Sequence, residues 1–448
     1  MIRVRRHVLA HRRMAGLSLI EMMIALVMAL IVAAGIITVF QSTSSSNRVQ
    51  SQLATLQEEG RFAIHSLRTD LANANGTYCS NSGGNASATG SGRYLDSLRS
   101  PTIYAKDFPT INAAFHDNTE PLVAPGTPQA FSLPSRIFMR GYDCGTTSAS
   151  CQPVDPSTGV LQIPAMGTVA GDRVPGAAVL TIRYLKPNSG WAISATGNPP
   201  DSTISANSDG TVDTITLRQG TGEEPISNFT GSLAMLADCS NAQVFSVSNS
   251  SGVLTPNNNY AAPLDISKGA APRVFDFDND FQTVTYYLKV VDVGNGQTTG
   301  ELVRQVNGIA QPLVRGVERL DFRYGIIDGD GTTEFLTAAE VDSATTAGGA
   351  SISCPPGVGT DGGMGNAGCL WRAVQTIEVH ILMDGQTPLY TLTPQEMAYI
   401  YSPDQSVAPV TPEKASLHTI KPDADQGFPL QLLRREFTTV VALRNFNP

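Results

Sequence analysis

Charged side chains are scarce, making up only 15% of the 448 residues, against about 25% in an average globular protein. Beyond the first sixteen residues there is no dense cluster of Lys and Arg, and the formal net charge is −9. Nucleic acid is therefore not expected as a partner, because phosphate binding requires clustered cations. The 41 glycines and 28 prolines favour a loop-rich, β-leaning protein of an extracytoplasmic compartment.

Motifs of catalysis are also missing from the sequence. It contains no Gly-x-Ser-x-Gly, no His-Glu-x-x-His and no Gly-x-x-x-x-Gly-Lys. Only six histidines are present, and they are scattered along the chain. We therefore predict that the protein is not an enzyme, although a catalytic triad assembled only by folding leaves no such trace.

One long apolar run stands near the N-terminus. Met22 to Val39 is an eighteen-residue stretch without charge, close to the roughly 20 residues that span a bilayer as a helix. Five arginines and no acidic residue precede it within the first sixteen residues. By the positive-inside rule, the leading residues face the cytoplasm and the chain after about residue 42 faces the periplasm or exterior.

The residues before this run read Gly16-Leu17-Ser18-Leu19-Ile20-Glu21, so that a carboxylate stands at the mouth of a membrane helix. A charge within a membrane segment costs several kcal/mol and indicates a functional site. The alternative is that Glu21 is an ordinary acid of a first helical turn, favoured there by the helix dipole.

The order of basic leader, glycine, Leu-Ile-Glu and apolar helix resembles the signal of type IV prepilins. This resemblance implies a leader of residues 1–16, which a prepilin peptidase removes by cutting between Gly16 and Leu17 and then methylating the amino group of Leu17. Leu17 occupies a position where the family usually has Phe. The resemblance also implies that Glu21 neutralises the terminal ammonium of a neighbouring subunit.

The helix is expected to continue far beyond the membrane. No proline occurs before Pro101, and apolar residues recur at helical spacing. We predict one helix over residues 17–75, transmembrane over about 19–40, with a stripe that packs on the body: Val49, Leu53, Leu56, Ala63, Ile64, Leu67 and Leu71. The alternative is a membrane anchor joined through the Ser/Asn-rich stretch to an independent amphipathic helix.

Residues 76–448 are expected to form a β-rich globular domain. Alternating runs separated by turn residues predict strands behind one long helix, which is an α+β fold with antiparallel sheets. The predicted strands cover residues 178–185, 212–219, 231–238, 243–248, 283–291, 317–326, 374–383 and 437–445.

Several segments of the chain resemble the PilW family of minor pilins, in the order that the family shows. They are residues 56–79, 237–248, 286–308, 311–331, 369–383 and 434–445. The stretch of about 80–230 resembles no family and is predicted to be an insertion that carries this chain's individual specificity.

All six cysteines follow the apolar run, on the predicted oxidising side, which favours disulfides. Fifteen pairings are possible. Proximity along the chain favours Cys144–Cys151 and Cys354–Cys369, which leaves Cys79–Cys239 to tie the helix end to the sheet.

No cofactor is expected, with calcium as the one candidate. Asp328 and Asp330, followed by Glu334, offer the alternating oxygen ligands that calcium prefers. A second acidic run, Asp276-x-Asp278-x-Asp280, is the weaker candidate, and neither completes an EF-hand. The alternative is that both are solvated turns between strands.

The resemblance implies a minor pilin at or near the tip of a type IV pilus, which helps to initiate assembly. Its implied partners are other minor pilins, the major pilin, the prepilin peptidase and the inner membrane, with the body first in the periplasm and then on the extracellular pilus. A J-type pseudopilin of type II secretion and a tip adhesin that binds through the 80–230 region are the alternatives. The sequence does not distinguish motility, DNA uptake and attachment as the role of the pilus.

Overall fold

A single long helix, α1 (Leu19–Leu71), begins the part of the chain that the computed structural model describes. The described residues are 18–76, 78, 86–89, 92–95, 102–103, 131–132, 134–157, 163–194, 201–208, 211–237, 242–257, 272–327, 333–354, 368–405, 408–413 and 419–443. The helix has 53 residues and is continuous through Gln41–Asn47, so the two-helix alternative is wrong. Serine and asparagine inside a helix cost only tenths of a kcal/mol each, which is too little to break it.

The chain after the last residue of α1, Leu71, forms turns. Residues 72–75 form turns, and Asn75 takes the left-handed conformation at φ 61°. Asparagine tolerates this conformation better than most residues, which is why it often closes helices.

The chain divides into two compact units within α1. One unit covers Met1–Ala54 and the other Thr55–Pro448, whereas composition predicted a boundary near residue 75. The difference arises because the last turns of α1 bury one stripe in the second unit. The buried residues of that stripe follow helical spacing and are Leu56, Gly60, Ala63, Leu67, Asp70 and Leu71.

The described residues of the second unit are built mainly into strands, with three short helices, α2 (Phe277–Asp280), α3 (Ala338–Ser343) and α4 (Pro394–Met397). In chain order the described strands are β1 (Ala86–Thr89), β2 (Gly92–Leu95), β3 (Thr102–Ile103), β4 (Phe131–Ser132), β5 (Met139–Tyr142), β6 (Val179–Leu185), β7 (Trp191–Ala192), β8 (Thr203–Ala206), β9 (Val212–Thr216), β10 (Leu233–Ala237), β11 (Ala242–Ser250), β12 (Val253–Pro256), β13 (Arg273–Asp276), β14 (Phe281–Gly294), β15 (Gln297–Val306), β16 (Ile309–Arg315), β17 (Val317–Ile327), β18 (Thr333–Leu336), β19 (Val374–Asp384) and β20 (Arg434–Ala442).

Two antiparallel sheets share one hydrophobic core with the end of α1. The five-stranded sheet has the order β16-β15-β14-β6-β5, and the four-stranded sheet has the order β18-β17-β19-β20. Leu67 of α1, Leu288 of β14 and Ile381 of β19 are fully buried members of that core. The predicted α+β fold, a long apolar helix followed by antiparallel sheets, is confirmed.

A nine-stranded sheet interrupts the five-stranded one. Strands β6 and β14 are neighbours, and Leu185 at the end of β6 lies opposite Phe281 at the start of β14. The chain between these paired ends supplies seven strands of the nine-stranded sheet, β7 to β13. Strands β10 and β11 pair with β13 and β12 in this sheet, which extends to Asp276, and the insertion of about 80–230 stays a prediction.

Two disulfides fasten loops of the second unit, and they are the two pairs that proximity along the chain favours. They join Cys144 to Cys151 and Cys354 to Cys369. Cys79 and Cys239 lie outside the described residues, so their pairing stays a prediction.

Candidate functional site

The first half of α1 presents an apolar surface that nothing within its own unit covers. Its large apolar side chains from Leu19 to Phe40 are all more than half exposed. The most apolar eighteen-residue window has a mean hydropathy of 2.8, and none of it is buried. Exposed apolar area of this extent indicates a surface that meets lipid or another protein.

Glu21 is the only charged residue between Leu19 and Phe40, and it closes the first turn of the helix. The backbone N–H of Ser18 donates to Glu21 Oε2 at 3.0 Å, and the N–H of Ile20 donates to Ser18 Oγ at 3.4 Å. These two hydrogen bonds cap the first turn and hold the carboxylate at the positive end of the helix dipole. Both interpretations of Glu21, an acid of the first turn and an assembly residue, require this position.

The predicted cleavage site, Gly16 and Leu17, lies outside the described residues. Glu21 contacts the N–H of Ser18, which directly follows Leu17 in the chain. The carboxylate is therefore held close to the position where processing would create a new amino group.

At the other end of α1, Asp70 anchors the helix to three strands. Its carboxylate accepts hydrogen bonds from the hydroxyls of Tyr184 on β6, at 3.0 Å, and Tyr286 on β14, at 2.6 Å. The Arg304 guanidinium on β15 donates to both carboxylate oxygens, with 3.1 Å between Nη2 and Oδ1. A buried charge is tolerable in such a place because its hydrogen-bonding capacity is filled.

Electrostatics reinforces this anchor. Burial and then the Asp70 charge raise the pKa of the Tyr184 and Tyr286 hydroxyls, so both stay protonated and donate. Burial alone would lower the pKa of Arg304, but its bonds to Asp70 outweigh that effect and raise it. The two tyrosines and Arg304 therefore stay protonated throughout the neutral range.

A second buried ion pair ties the last strand to the body. Arg434 on β20 donates to both oxygens of Glu318 on β17, at 2.7 and 2.9 Å, and both side chains have no exposed surface. The guanidinium also donates to the backbone oxygens of Pro429, Leu430 and Leu432. Burial raises the pKa of Glu318 to about 7. Because all of its hydrogen bonds are made within the body, this pair has a structural role and fixes the register of β20.

The histidine of β19 belongs to a polar network without catalytic geometry. His380 Nδ1 lies 2.9 Å from Glu436 Oε1, and the Ser402 hydroxyl donates to the other oxygen of Glu436 at 2.8 Å. Serine and histidine thus share a carboxylate instead of contacting one another, whereas a catalytic pair needs the direct bond. The network fastens the loop at Ser402 to strands β19 and β20.

The described part of the chain contains no group of three His, Cys, Asp or Glu side chains that could hold a metal ion. The oxygens of Asp276 and Asp278 accept backbone N–H groups of residues 230–233. Asp328 and Asp330 lie outside the described residues, and Glu334 lies on β18. Calcium at Asp328, Asp330 and Glu334 therefore stays a prediction.

The sequence alone did not predict the residues of the anchor, which are Asp70, Tyr184, Tyr286 and Arg304. One signal for Asp70 was present, because it lies beside Leu71 and three residues after Leu67 on the predicted apolar stripe. An acid on the buried face of a helix implies a buried partner. The identity of that partner depends on strand pairing and cannot be read from spacing.

Comparison with known families gives two matches. Residues 285–445 match the model of the type IV pilus-assembly protein W (PilW), and residues 11–37 match the prokaryotic N-terminal methylation motif. No curated protein and no solved structure matches the chain. The PilW match runs from β14 to β20 and begins after residues 237–248, where the sequence also suggested a resemblance.

The two matches contain the structural features described above. The methylation motif contains Glu21 and most of the apolar half of α1, and together they indicate a pilin anchored in the inner membrane. The PilW match contains Tyr286, Arg304, Glu318 and Arg434, which hold the helix and the last strand to the body. Both matches support a pilin-like role. The chain is thus similar to PilW over residues 285–445 and carries a prepilin-type methylation motif over residues 11–37.

Proposed function

We propose that this chain is a minor pilin of a type IV pilus, that it is incorporated at or near the pilus tip, and that it helps to initiate assembly. The observation that carries the proposal is the contrast along α1. From Leu19 to Phe40 the helix is apolar and exposed, whereas its last turns are locked into a β-rich body through Asp70. A subunit with this construction can exchange lipid for other helices while its body stays folded.

The proposed mechanism starts with processing. Cleavage after Gly16 frees the amino group of Leu17, and the helix leaves the bilayer to pack with the apolar helices of other subunits. In that dry environment Glu21 pairs with the terminal ammonium of a neighbour, because opposite charges attract strongly at low dielectric. The capping contact from Ser18 keeps the carboxylate oriented until the neighbour arrives.

The size of the body supports a place at the tip. The second unit spans Thr55–Pro448, and a compact chain of about 400 residues has a radius of gyration of about 21 Å. Packed helices lie only about 8–10 Å apart, so neighbouring subunits must stagger to accommodate bodies of this size. An end position relieves this crowding, since no subunit follows on one side.

In this proposal the partners are other minor pilins and the major pilin, which contact α1, and the prepilin peptidase. The body occupies the periplasm before assembly and the outside of the cell afterwards. Nucleic acid is not among the proposed partners.

The test of this proposal is the N-terminal mass of the protein in membranes from cells with and without the prepilin peptidase. We expect a methylated Leu17 start that is lost without the enzyme. We also expect fewer pili when the gene is deleted, and antibody labelling of the body at one end of sheared pili. An intact Met1 start contradicts the pilin mechanism, and labelling along the whole filament contradicts the tip position.

A tip adhesin is the second candidate, and the nine-stranded sheet favours it. Every strand of this sheet lies before residue 285, where the PilW match begins, and the sheet has a hydrophobic cluster of its own around Trp191 and Phe245. Because Leu185 and Phe281 are paired, residues 186–280 can be replaced by an Asn-Gly turn that closes β6 onto β14. If the protein is an adhesin, cells with this deletion variant no longer attach but still make pili. If it is purely structural, the same cells keep both attachment and pili.

A further inference from the structure

An open groove of about 550 Å³ lies within the second unit, between the last turns of α1 and the edge strand β16. We call it the acidic groove. The residues that define it are Glu58, Glu59 and Phe62 of α1, Glu301 of β15, and Pro312 and Arg315 of β16. None of the contacts already described for the Asp70 anchor uses these side chains.

Negative charge dominates the groove. Glu301 is paired with Lys289 at 3.2 Å and with Arg315 at 3.1 Å, so its charge is balanced. Glu58 and Glu59 form no ion pair within the described ranges, and Glu59 accepts only a neutral amide, from Gln386 at 2.6 Å. Two carboxylates are thus left without a cation.

The surroundings of Glu59 show what the groove is missing. Burial raises its pKa, and the nearby charges of Asp384 and Glu58 raise it further, although the Gln386 hydrogen bond opposes them. The effects of Asp384 and Glu58 show that negative charge lies close to Glu59. A cationic side chain that entered the groove would remove the repulsion and gain two charged acceptors.

An apolar surface borders these acids. Phe62 is half exposed, an unusual exposure for a large aromatic side chain in the docked part of a helix, and Pro312 lies across the groove from it. Leu313 contributes a further apolar wall and is partly buried against the core. The ligand therefore combines a positive charge with an apolar side chain.

The edge strand indicates that the ligand is a helix and not an added strand. Pro312 cannot donate a backbone hydrogen bond, and the register shifts between Leu302 and Val303 on the neighbouring strand β15. Proline and bulges of this kind protect sheet edges against strand addition. Recognition in the groove must therefore proceed through side chains.

We propose that the acidic groove binds the N-terminal helix of a neighbouring pilin-like subunit of another kind, with an Arg or Lys of that helix between Glu58 and Glu59 and an apolar side chain against Phe62. This inference rests on the proposed function. The required pattern exists in this chain's own α1, where exposed Phe40 and Arg48 are two turns apart and both follow the most apolar part of the helix. A helix of the same class offers the groove both features.

The experiment uses the full chain in piliated cells, with a photoreactive p-benzoylphenylalanine in place of Phe62 and, as control, in place of the exposed Tyr390. We expect the Phe62 probe to capture a different subunit with a processed prepilin N-terminus. Peptide mapping is expected to place the crosslink within about two turns after the apolar segment of that subunit. The Tyr390 probe is expected to capture at least tenfold less of it.

Charge variants test the ionic part. The pair Glu58→Lys and Glu59→Lys is expected to reduce the crosslink at least tenfold, and the milder Glu58→Gln and Glu59→Gln pair severalfold. The exposed Glu413→Lys is the matched control and is expected to leave it unchanged. Protein abundance and trypsin resistance identify any variant that fails to fold, and the glutamine pair then decides the question.

The outcomes separate the groove from the function. The groove proposal alone is overturned if processing and piliation are normal but the Phe62 probe crosslinks only to lipid, only to a second copy of this chain, or to nothing. A Met1 start without piliation overturns the proposed function as well. Lysine variants that crosslink as well as the wild type overturn the ionic mechanism.

Discussion

The Asp70 carboxylate and the Arg304 guanidinium form a two-point ion pair that joins the last turn of α1 to strand β15, with 3.1 Å between Oδ1 and Nη2. Two tyrosine hydroxyls complete the shell of the carboxylate. The two residues are 234 positions apart in the chain, so the bond exists only after the sheet has formed. One acid thus supplies the polar contacts between the last turn of α1 and strands β6, β14 and β15.

We expect Asp70→Ala to lower the free energy of unfolding by about 3–5 kcal/mol, because it leaves Arg304 and both tyrosine hydroxyls without their acceptor. Urea unfolding of the detergent-solubilised protein measures the change. Arg68→Ala is the matched control, since Arg68 lies in the same turn and is exposed, and we expect its effect to be within about 0.5 kcal/mol. Equal stability of the two variants would show that the anchor contributes nothing.

The sequence predicted the helix and the most regular strands because their patterns are local. An uninterrupted run without proline determines α1, and alternating apolar residues determine the eight predicted strands, all of which the structure contains. Strands β15 and β16 were missed because Gly300 and Pro312 interrupt their patterns. Gly300 is required there, since a Cβ would lie 1.9 Å from the carbonyl oxygen of Val317.

A usable signal for these strands was nonetheless present. Asn295-Gly296 and Asn307-Gly308 both take positive φ angles and form the turns on either side of β15. Asn-Gly between extended segments is the strongest short-range sign of a hairpin. The Asp70 anchor had no comparable local sign of its partners, because they are brought together only by the order of strands in the sheet.

The contact between Gly60 and Phe437 gives a second prediction. A Cβ at Gly60 would lie 2.5 Å from Cζ of Phe437, so α1 approaches β20 too closely for any side chain. We expect Gly60→Leu to destabilise the protein by about 1–3 kcal/mol through overpacking. A second substitution, Phe437→Ala, is expected to recover part of this loss. Gln57→Leu, on the exposed side of the same helix, serves as the control in thermal unfolding.

If the double variant is as unstable as the sum of its two parts, the close approach is not the cause. Coupling between the two sites is therefore the decisive measurement, and it requires all four proteins of the cycle.

His380 gives a pH-dependent prediction. Burial lowers the pKa of its imidazole, but the hydrogen bond that it donates to Glu436 and the charges of Glu378, Glu436 and Asp321 outweigh burial and raise the pKa. A folded pKa above the unfolded value of about 6.5 means that protonation stabilises the fold. This contribution is complete below the unfolded pKa and is lost as pH rises through the folded pKa.

We therefore expect His380→Gln to lose more stability relative to the wild type at pH 5.5 than at pH 8.5. The comparison with wild type at each pH is essential, because burial also raises the pKa of Glu318 to about 7 and so gives stability the same direction of pH dependence. Chemical unfolding at the two pH values measures the difference. A larger loss at pH 8.5 would reverse the sign and rule out the ion pairs as its source.

Glu21 gives the prediction that separates helix capping from assembly. Its carboxylate accepts the N–H of Ser18, and an amide oxygen can accept the same bond without the charge. We expect Glu21→Gln to be cleaved at Gly16 and methylated at Leu17 normally, because the first turn keeps its geometry. Its recovery in sheared pili is nevertheless expected to fall at least tenfold, because the neighbour's ammonium loses its partner in a dry environment. The N-terminal mass reports processing, and the amount in the pilus fraction reports assembly.

Glu21→Ala removes the cap as well, so an additional fall in membrane abundance is expected for that variant only. If Glu21→Gln assembles like the wild type while Glu21→Ala does not, the residue acts as a helix cap and the proposed ion pair is wrong.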